Sequence, residues 1–218
     1  VISHGPSGDF QIYFNTNWEV TDQYYNFSYF SRFLNTSEAS IEYSRNYVLL
    51  TDTFNIGFDL ENQDQLVPGD DFSWNIYRLN YTSDTRKVVN AGIGASTGGF
   101  FSARLHNLYS EINWRFQPFG SLGLQVDYNY LDLAGSGTDA GNFLISPRLD
   151  LTLSDKVFLT TFVQYNEQIN NFNINSRFQW RFKPVSDFFI VYTENYFANS
   201  FAAKSRALVF KLTYWLNV

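Results

Sequence analysis

Residues 171–182 read NFNINSRFQWRF, and two kinds of side chain alternate along them. The even-numbered positions are apolar apart from Ser176, and they are Phe172, Ile174, Phe178, Trp180 and Phe182. The odd-numbered positions are amides and cations, namely Asn171, Asn173, Asn175, Arg177, Gln179 and Arg181. Because successive side chains of a β-strand point to opposite sides, this stretch predicts a strand with one apolar and one polar face. Its length suits a tilted membrane-crossing strand of ~9–11 residues better than a usual globular strand of ~5–6.

The same period of two recurs along the chain, and turn residues interrupt it. It predicts about twelve strands, at 9–19, 23–33, 38–47, 72–82, 87–96, 101–116, 121–133, 142–153, 157–166, 171–182, 188–194 and 205–218. A helical period is absent, and no linker divides the chain. We therefore predict one all-β domain spanning residues 1–218.

A glycine-rich stretch, 92–99, lies across the end of the fifth predicted strand. It lacks the Lys-Ser/Thr ending of a phosphate-binding loop, and no helix follows it. Small residues in a strand allow a neighbouring backbone to approach closely or the strand to curve strongly, and we expect one of these roles here. Thr97-Gly98-Gly99 is predicted to form a tight turn.

The composition favours a β-rich protein without transmembrane helices. Aromatic residues make up 20% of the chain, including 23 Phe and 15 Tyr, which suits strands and aromatic girdles. No run of ~18 apolar residues occurs, so no transmembrane helix is expected. The chain has no Cys, which excludes disulfides and thiolate metal sites. The net charge of -6 argues against a nucleic-acid partner. Since the chain opens at Val1 and shows no charged segment followed by an apolar one, we expect any signal peptide to have been removed or to lie outside this sequence.

Two architectures fit an alternating all-β chain: an antiparallel outer-membrane β-barrel and a soluble sandwich. The order of the apolar residues favours the barrel, because aromatics stand near strand ends and aliphatics between them. The residues predicted to face lipid are Phe172, Ile174, Phe178, Trp180, Leu208, Phe210, Leu212 and Tyr214. The residues predicted to face the lumen are Gln125, Asp127, Arg148, Asp150, Asn173, Asn175, Arg177, Gln179 and Arg181.

The connections between strands alternate in length, as in outer-membrane barrels with short periplasmic turns and longer outer loops. The short ones, 83–86, 117–120, 153–156 and 183–187, are predicted to be periplasmic. The longer ones, 48–71, 134–141, 166–170 and 195–204, are predicted to face outside. The turn at 97–99 fits this alternation weakly because it is short but belongs to the outer set.

Several ordered segments resemble a known family. They are NIYRLNYTSDTRK (75–87), EINWRFQPFGSLGLQVDYNYLDL (111–133), FNINSRFQWRFKPVSDFFIVYTEN (172–195) and ALVFKLTYWLNV (207–218). They resemble the C-terminal barrel region of Bacteroidetes-type outer-membrane proteins that carry an N-terminal carbohydrate-binding-family-nine-like module. In that family the barrel is a domain of unknown function. The resemblance implies a larger barrel of which this chain is a part, and it implies no catalytic residue here.

Residues suited to catalysis or metal binding are few. His4 and His106 are the only histidines, and His106 is predicted to line the polar side of its strand without a catalytic or ligand role. Asp64, Asp70 and Asp71, with Glu61 and Asn62, form a weak calcium candidate that lacks the spacing of a known calcium loop. Amide-rich walls with Tyr13 and Tyr77 nearby could suit sugars. We expect no cofactor and no enzymatic activity.

Three functions follow from the sequence. The first is a pore or transport path in the outer membrane of a Gram-negative bacterium, linked to glycan handling. The second is a structural or accessory barrel in a larger outer-membrane complex. The third is the membrane anchor of a carbohydrate-acting protein whose N-terminal module is absent. The expected partners are membrane lipid and lipopolysaccharide, with outer-membrane proteins and a glycan as further candidates and no nucleic acid.

Overall fold

A computed structural model describes residues 1–56, 65–133 and 140–216, and the regular structure there is β. The strands are β1 (Ser3–Phe14), β2 (Val20–Arg32), β3 (Glu38–Leu49), β4 (Phe54–Asn55), β5 (Gln65–Leu66), β6 (Asp71–Thr82), β7 (Val89–Phe100), β8 (Ala103–Phe116), β9 (Gly120–Asp132), β10 (Ala140–Thr152), β11 (Val157–Asn166), β12 (Asn171–Lys183), β13 (Ser186–Phe197) and β14 (Ala203–Thr213). Within those ranges no helix has the length and apolar character needed to cross a membrane.

Twelve long strands form one sheet in the order β1-β2-β3-β6-β7-β8-β9-β10-β11-β12-β13-β14, and β4 and β5 form a separate hairpin. Each long strand therefore neighbours the next one along the chain, which is the antiparallel meander of up-and-down β-barrels. A sandwich would divide the strands between two packed sheets. The predicted all-β class, with about twelve antiparallel strands in one sheet, is confirmed. Closure of that sheet into an outer-membrane barrel stays a prediction.

The chain divides into two compact units. Unit 1 comprises residues 1–85, 91–110 and 127–142, and unit 2 comprises 86–90, 111–126 and 143–218. The single domain over 1–218 stays a prediction.

The first predicted strand, 9–19, ends too late, because a turn occupies its last residues. β1 begins at Ser3 and ends at Phe14. The Asn15 side-chain oxygen then accepts hydrogen bonds from the backbone N–H groups of Asn17 and Glu19, at 2.9 and 3.0 Å. Trp18 has a φ of 62°, which no extended strand allows. Asn15 supplies the side-chain acceptor of an Asx-turn, and this local bonding outweighs the alternation that Trp18 would continue.

The last two strands also differ from their predicted bounds. β13 runs from Ser186 to Phe197 rather than over 188–194, so the loop after it is shorter than predicted. β14 ends at Thr213 rather than at 218. Near that end, the backbone N–H of Trp215 bonds the Ser186 hydroxyl at 3.1 Å, and this side-chain contact replaces a ladder bond.

Gly98 and Gly99 lie inside β7, so the turn predicted at 97–99 is wrong; β7 continues to Phe100 before the chain reverses. A Cβ on Gly98 would overlap the Asn75 carbonyl oxygen and lie 2.7 Å from the Ile76 Cα. A Cβ on Gly99 would overlap the Cβ of Trp74. These glycines allow β6 and β7 to approach closely, which confirms one of the two roles predicted for the small residues of 92–99.

We expect Gly98→Ala to destabilise the protein by about 1–3 kcal/mol, because the methyl group would press on the β6 backbone. The measurement is the urea midpoint of the detergent-folded protein, followed by gel mobility without boiling. Gly5→Ala is the control, since its Cβ would meet nothing closer than a Phe30 ring carbon at 3.9 Å. Equal midpoints for the two variants would contradict the close approach.

Candidate functional site: the polar face of the sheet

Strand pairing in unit 2 gathers amides and hydroxyls on one face of β10–β14. Asn173 lies opposite Gln164 on β11 and opposite Asn195 on β13. The Asn173 amide donates to the Asn195 side-chain oxygen at 2.9 Å, and Asn195 donates to the Ser205 hydroxyl at 3.0 Å. The Asn175 amide donates to the Thr193 hydroxyl at 2.7 Å. Cross-strand neighbours thus bond side chain to side chain across three strands, in a ladder of uncharged polar groups.

The same face of unit 2 carries charges of both signs. Arg148 donates to Asp150 at 2.8 Å, and the Thr160 hydroxyl donates to the same carboxylate at 2.9 Å. Asp187 accepts from Gln179 at 2.9 Å and from Arg181 at 3.4 Å. The residues predicted to line a lumen in β10 and β12 therefore share one face, whose register is set by β11.

Two cations on this face remain without a side-chain hydrogen bond or ion pair to the residues that the structure describes. Arg177 lies between Thr160 and Val191, and Lys211 lies opposite Phe189. Arg177 is close enough to Asp150 to act on it electrostatically. These side chains leave cationic groups available to a solute on a face whose carboxylates, Asp150 and Asp187, are already bonded.

The opposite face of unit 2 is apolar and widely exposed. Every residue predicted to face lipid lies on it: Phe172, Ile174, Phe178, Trp180, Leu208, Phe210, Leu212 and Tyr214. Phe210 and Leu212 are 61% and 65% exposed. Ser176, the exception in the apolar row, shares a hydrogen bond of 2.9 Å with the hydroxyl of its cross-strand partner Thr161. Each hydroxyl thus has a hydrogen-bond partner within the apolar face. Which face meets lipid stays a prediction.

An ion pair that the sequence did not reveal lies on the apolar face. Glu194 pairs with Ile174 on β12 and with Arg206 on β14, and its side chain is fully buried. The Arg206 Nε donates to the Glu194 carboxylate at 2.7 Å, and the Tyr192 hydroxyl donates to the same group. The predicted strand 188–194 ended at Glu194, whereas β13 continues to Phe197. Arg206, twelve residues further along the chain, supplies the positive charge that balances Glu194. Only the pairing of β13 with β14 brings the two side chains together.

We expect Arg206→Gln to destabilise unit 2 more than Arg32→Gln destabilises unit 1. Arg206→Gln leaves the buried Glu194 carboxylate without its cation, whereas the Arg32–Glu38 pair is half exposed on both sides. The measurement is again the urea midpoint of the folded protein in detergent. Restoring stability with the double variant Glu194→Gln/Arg206→Gln would support the unpaired charge as the cause. Equal effects of the two single variants would contradict it.

Gln125 and Asp127 share one side of β9 with Gly123 and Asn129, as their parity requires. In unit 1, the Asn107 amide of β8 donates to the Asn129 side-chain oxygen at 3.0 Å, which makes this the polar side of both strands. His106 therefore lies on the other side, and its prediction as a polar-side residue is wrong. Its Nδ1 is 2.8 Å from the Thr97 hydroxyl, and its ring is 6.1 Å from that of Tyr130.

In unit 1 the register across β1, β2, β3 and β6 builds cross-strand rows on the polar face. Three successive rows are Tyr13-Asp22-Val48-Phe72, Gln11-Tyr24-Asn46-Trp74 and Asp9-Asn26-Ser44-Ile76. The next row contains Glu42 and Arg78, whose side chains form an ion pair of 2.9 Å. Tyr77 lies on the opposite face, where its ring packs 5.3 Å from that of Tyr43. Of the two tyrosines proposed to meet sugars, only Tyr13 is on the polar face.

At one end of the polar face of unit 1, the side chains become apolar. Ile56, beside the β4–β5 hairpin, is buried with Leu131 and Leu133, and Leu66 packs against them. The Phe101 ring lies 4.8 Å from Phe54 and 4.9 Å from Trp74. The described part of the long 48–71 connection thus packs on the sheet instead of extending into solvent, which the sequence did not predict. Its location outside the membrane stays a prediction.

The calcium candidate finds little support among the described residues. Asp64, Glu61 and Asn62 lie outside the described ranges. The Asp70 carboxylate accepts the backbone N–H of Val67 at 3.2 Å, while Asp71 begins β6. Within 1–56, 65–133 and 140–216, no group of three or more His, Cys, Asp or Glu is placed to hold a metal ion.

Comparison with known proteins does not establish the function of this chain. No family model matches the chain. No curated protein matches it. Among solved structures it is similar to a KdgM porin, with 8% identity, a TM-score of 0.32 and 96% of each chain covered. It is also similar to a KdgM porin in complex with disordered oligogalacturonate, with 9% identity, a TM-score of 0.31 and 96% of each chain covered. The resemblance to the Bacteroidetes barrel family stays a prediction.

Proposed function

We propose that this chain forms a non-enzymatic β-barrel in the outer membrane of a Gram-negative bacterium and provides a path for polar solutes. The observation that carries the proposal is the separation of faces in unit 2. One face is apolar and exposed. The other carries amides, hydroxyls and charges, interspersed with Phe158, Phe162, Phe189, Val191 and Val209. Outer-membrane barrels need that division, with the apolar band on lipid and the polar face on the interior.

The exposed apolar face supports the membrane placement. Leu208, Phe210 and Leu212 alternate along β14 and are each more than half exposed. Trp180 of β12 and Tyr214, the residue after β14, are 47% and 49% exposed on the same face. Soluble proteins rarely leave contiguous apolar surface of this kind in water, whereas a bilayer favours it. Aromatics towards the end of the apolar rows suit the membrane interface.

The polar face supports the proposal that the solute is rich in hydroxyl groups. Amides offer both donors and acceptors, and Ser and Thr hydroxyls do the same, so the face of β12 and β13 can exchange hydrogen bonds with sugars. A link to glycans is the finer part of the proposal. Lipid and lipopolysaccharide are the proposed surroundings of the apolar face.

A second function, a structural or accessory barrel that conducts nothing, is favoured by one observation. The cluster of Ile56, Leu66, Leu131 and Leu133 fills part of the polar face of unit 1 with apolar side chains. An apolar plug of this kind would narrow or close a polar path. Conductance therefore decides between the two proposals. The third function, anchoring a carbohydrate-acting module, depends on sequence outside this chain.

We expect the folded protein to produce discrete conductance steps in a planar lipid bilayer. Ions would cross along the polar face, since its amides and its cations Arg177 and Lys211 can replace water of hydration. The control is the same protein boiled before reconstitution. A folded sample that inserts without conductance steps would overturn the pore and favour the accessory barrel.

We expect Phe178→Arg to reduce insertion into lipid vesicles and Gln179→Arg to leave it unchanged. The two residues are neighbours on β12 but lie on opposite faces. An Arg facing lipid near the bilayer midplane costs ~2–4 kcal/mol, whereas an Arg on the interior face meets water. The measurement is the fraction that becomes heat-modifiable on a gel after folding into vesicles. Equal insertion of both variants would contradict the assignment of faces.

A further inference from the structure

We propose that the polar face of unit 1 binds a neutral saccharide at a patch formed by Tyr13, Asp22, Tyr24 and Asn46. The inference rests on the proposed function, because it names the class of solute that the polar path would recognise. The patch belongs to β1, β2 and β3, where successive cross-strand rows bring these four side chains together.

A pocket of about 390 Å³ opens at this patch. Seven residues line it. Five of them, Tyr13, Asp22, Tyr24, Asn46 and Val48, belong to two adjacent rows on the polar face, whereas Gln23 and Tyr47 pair with each other on the other parity. Ligand pockets in proteins are typically ~300–1,000 Å³, so the volume suits one or two sugar rings.

Unpartnered polar atoms lie in the same rows. The Asn46 amide nitrogen and the Trp74 indole nitrogen, which face each other across β3 and β6, are buried without a hydrogen-bond partner among the described residues. In the next row, the Asn26 side-chain oxygen is also buried without one, while its amide nitrogen donates to Asp9 at 3.2 Å. Most buried polar groups are bonded, so unpartnered ones mark a place for water or a ligand. Of these three residues, Asn46 lines the pocket.

The chemistry of these groups selects a neutral polyol. Among the side chains that line the pocket, the Asn46 amide and the Tyr24 hydroxyl offer donors and acceptors, and the Asp22 carboxylate offers acceptors. A sugar hydroxyl uses both kinds at once. An anionic ligand would meet the carboxylates of Asp9 and Asp22, and the cation two rows from Tyr24, Arg78, is already paired with Glu42 at 2.9 Å. Anion sites instead gather unpaired cations and N–H donors.

The tyrosines supply the apolar contact that a sugar ring also needs. Tyr13 is 56% exposed, and its hydroxyl donates to the Gln11 side-chain oxygen at 3.0 Å. That bond holds the hydroxyl of Tyr13, while more than half of the side chain remains exposed. An amphipathic ring of this kind packs on C–H groups while its neighbours bond hydroxyls.

The test is calorimetric titration of the full chain, folded in detergent, with maltotriose, cellotriose and xylotriose as neutral probes and trigalacturonate as the acidic one. We expect at least one neutral probe to bind and trigalacturonate to bind more weakly. Asn46→Ala and Tyr13→Ala should each weaken the neutral probe roughly tenfold, as for loss of one hydrogen bond or ring contact. Tyr24→Phe keeps the ring and tests the hydroxyl alone.

Asn80→Ala is the matched control. Asn80 lies on the same polar face, two rows beyond the Asn26 row, and its amide bonds Glu42 at 3.3 Å. This variant should bind the probe as the unsubstituted protein does, and gel mobility verifies that every variant is folded. Equal loss in Asn80→Ala, tighter binding of trigalacturonate, or binding of no neutral probe would overturn the inference. Conductance without saccharide binding would refute this site alone, whereas binding without conductance would refute only the pore.

Discussion

Cross-strand pairing at a period of two is the constraint on which the rest of this structure depends. Once β12 is paired with β11 and β13, the side of every residue on three strands is fixed, because a shift of one residue would exchange the faces. The polar row Gln164-Asn173-Asn195 and the apolar row Leu159-Phe178-Ile190 are two consequences of one register. Side-chain bonds such as Asn175 to Thr193 reinforce that register on the polar side.

Polar groups on the apolar face show how strict the constraint is. Ser176 and Glu194 both interrupt apolar rows, and each finds its partner directly across a strand boundary: Ser176 in Thr161 and Glu194 in Arg206. Neither partner is close in sequence, so pairing makes the exceptions tolerable. An isolated hydroxyl or carboxylate on that face would be costly to bury.

The polar face is not uniform along the chain. In unit 2, cations without ion-pair partners stand among bonded carboxylates, which leaves that face positive in character. In unit 1, Asp9, Asp22 and Glu42 stand beside Arg78, and unpartnered amide and indole atoms lie between them. Two stretches of one sheet thus offer different chemistry to a solute. The hairpin packed beside Ile56 adds an apolar region at the end of the unit 1 face.

The sequence by itself determined the all-β class, the number of long strands and the two faces of β12, because alternation is a local property that any paired strand expresses. It also identified the small residues of β7 as a place of close approach or strong curvature. It misplaced the turn at 97–99, since glycine is common both in turns and in strands that a neighbouring backbone approaches closely. It also misplaced the face of His106, because both parities of 101–116 mix polar and apolar residues. The Glu194–Arg206 pair, the packing of Ile56 and the rows around Asn46 were decided only by the tertiary structure. The physical reason is that their partners lie on different strands, and no local pattern records which residues the register brings face to face.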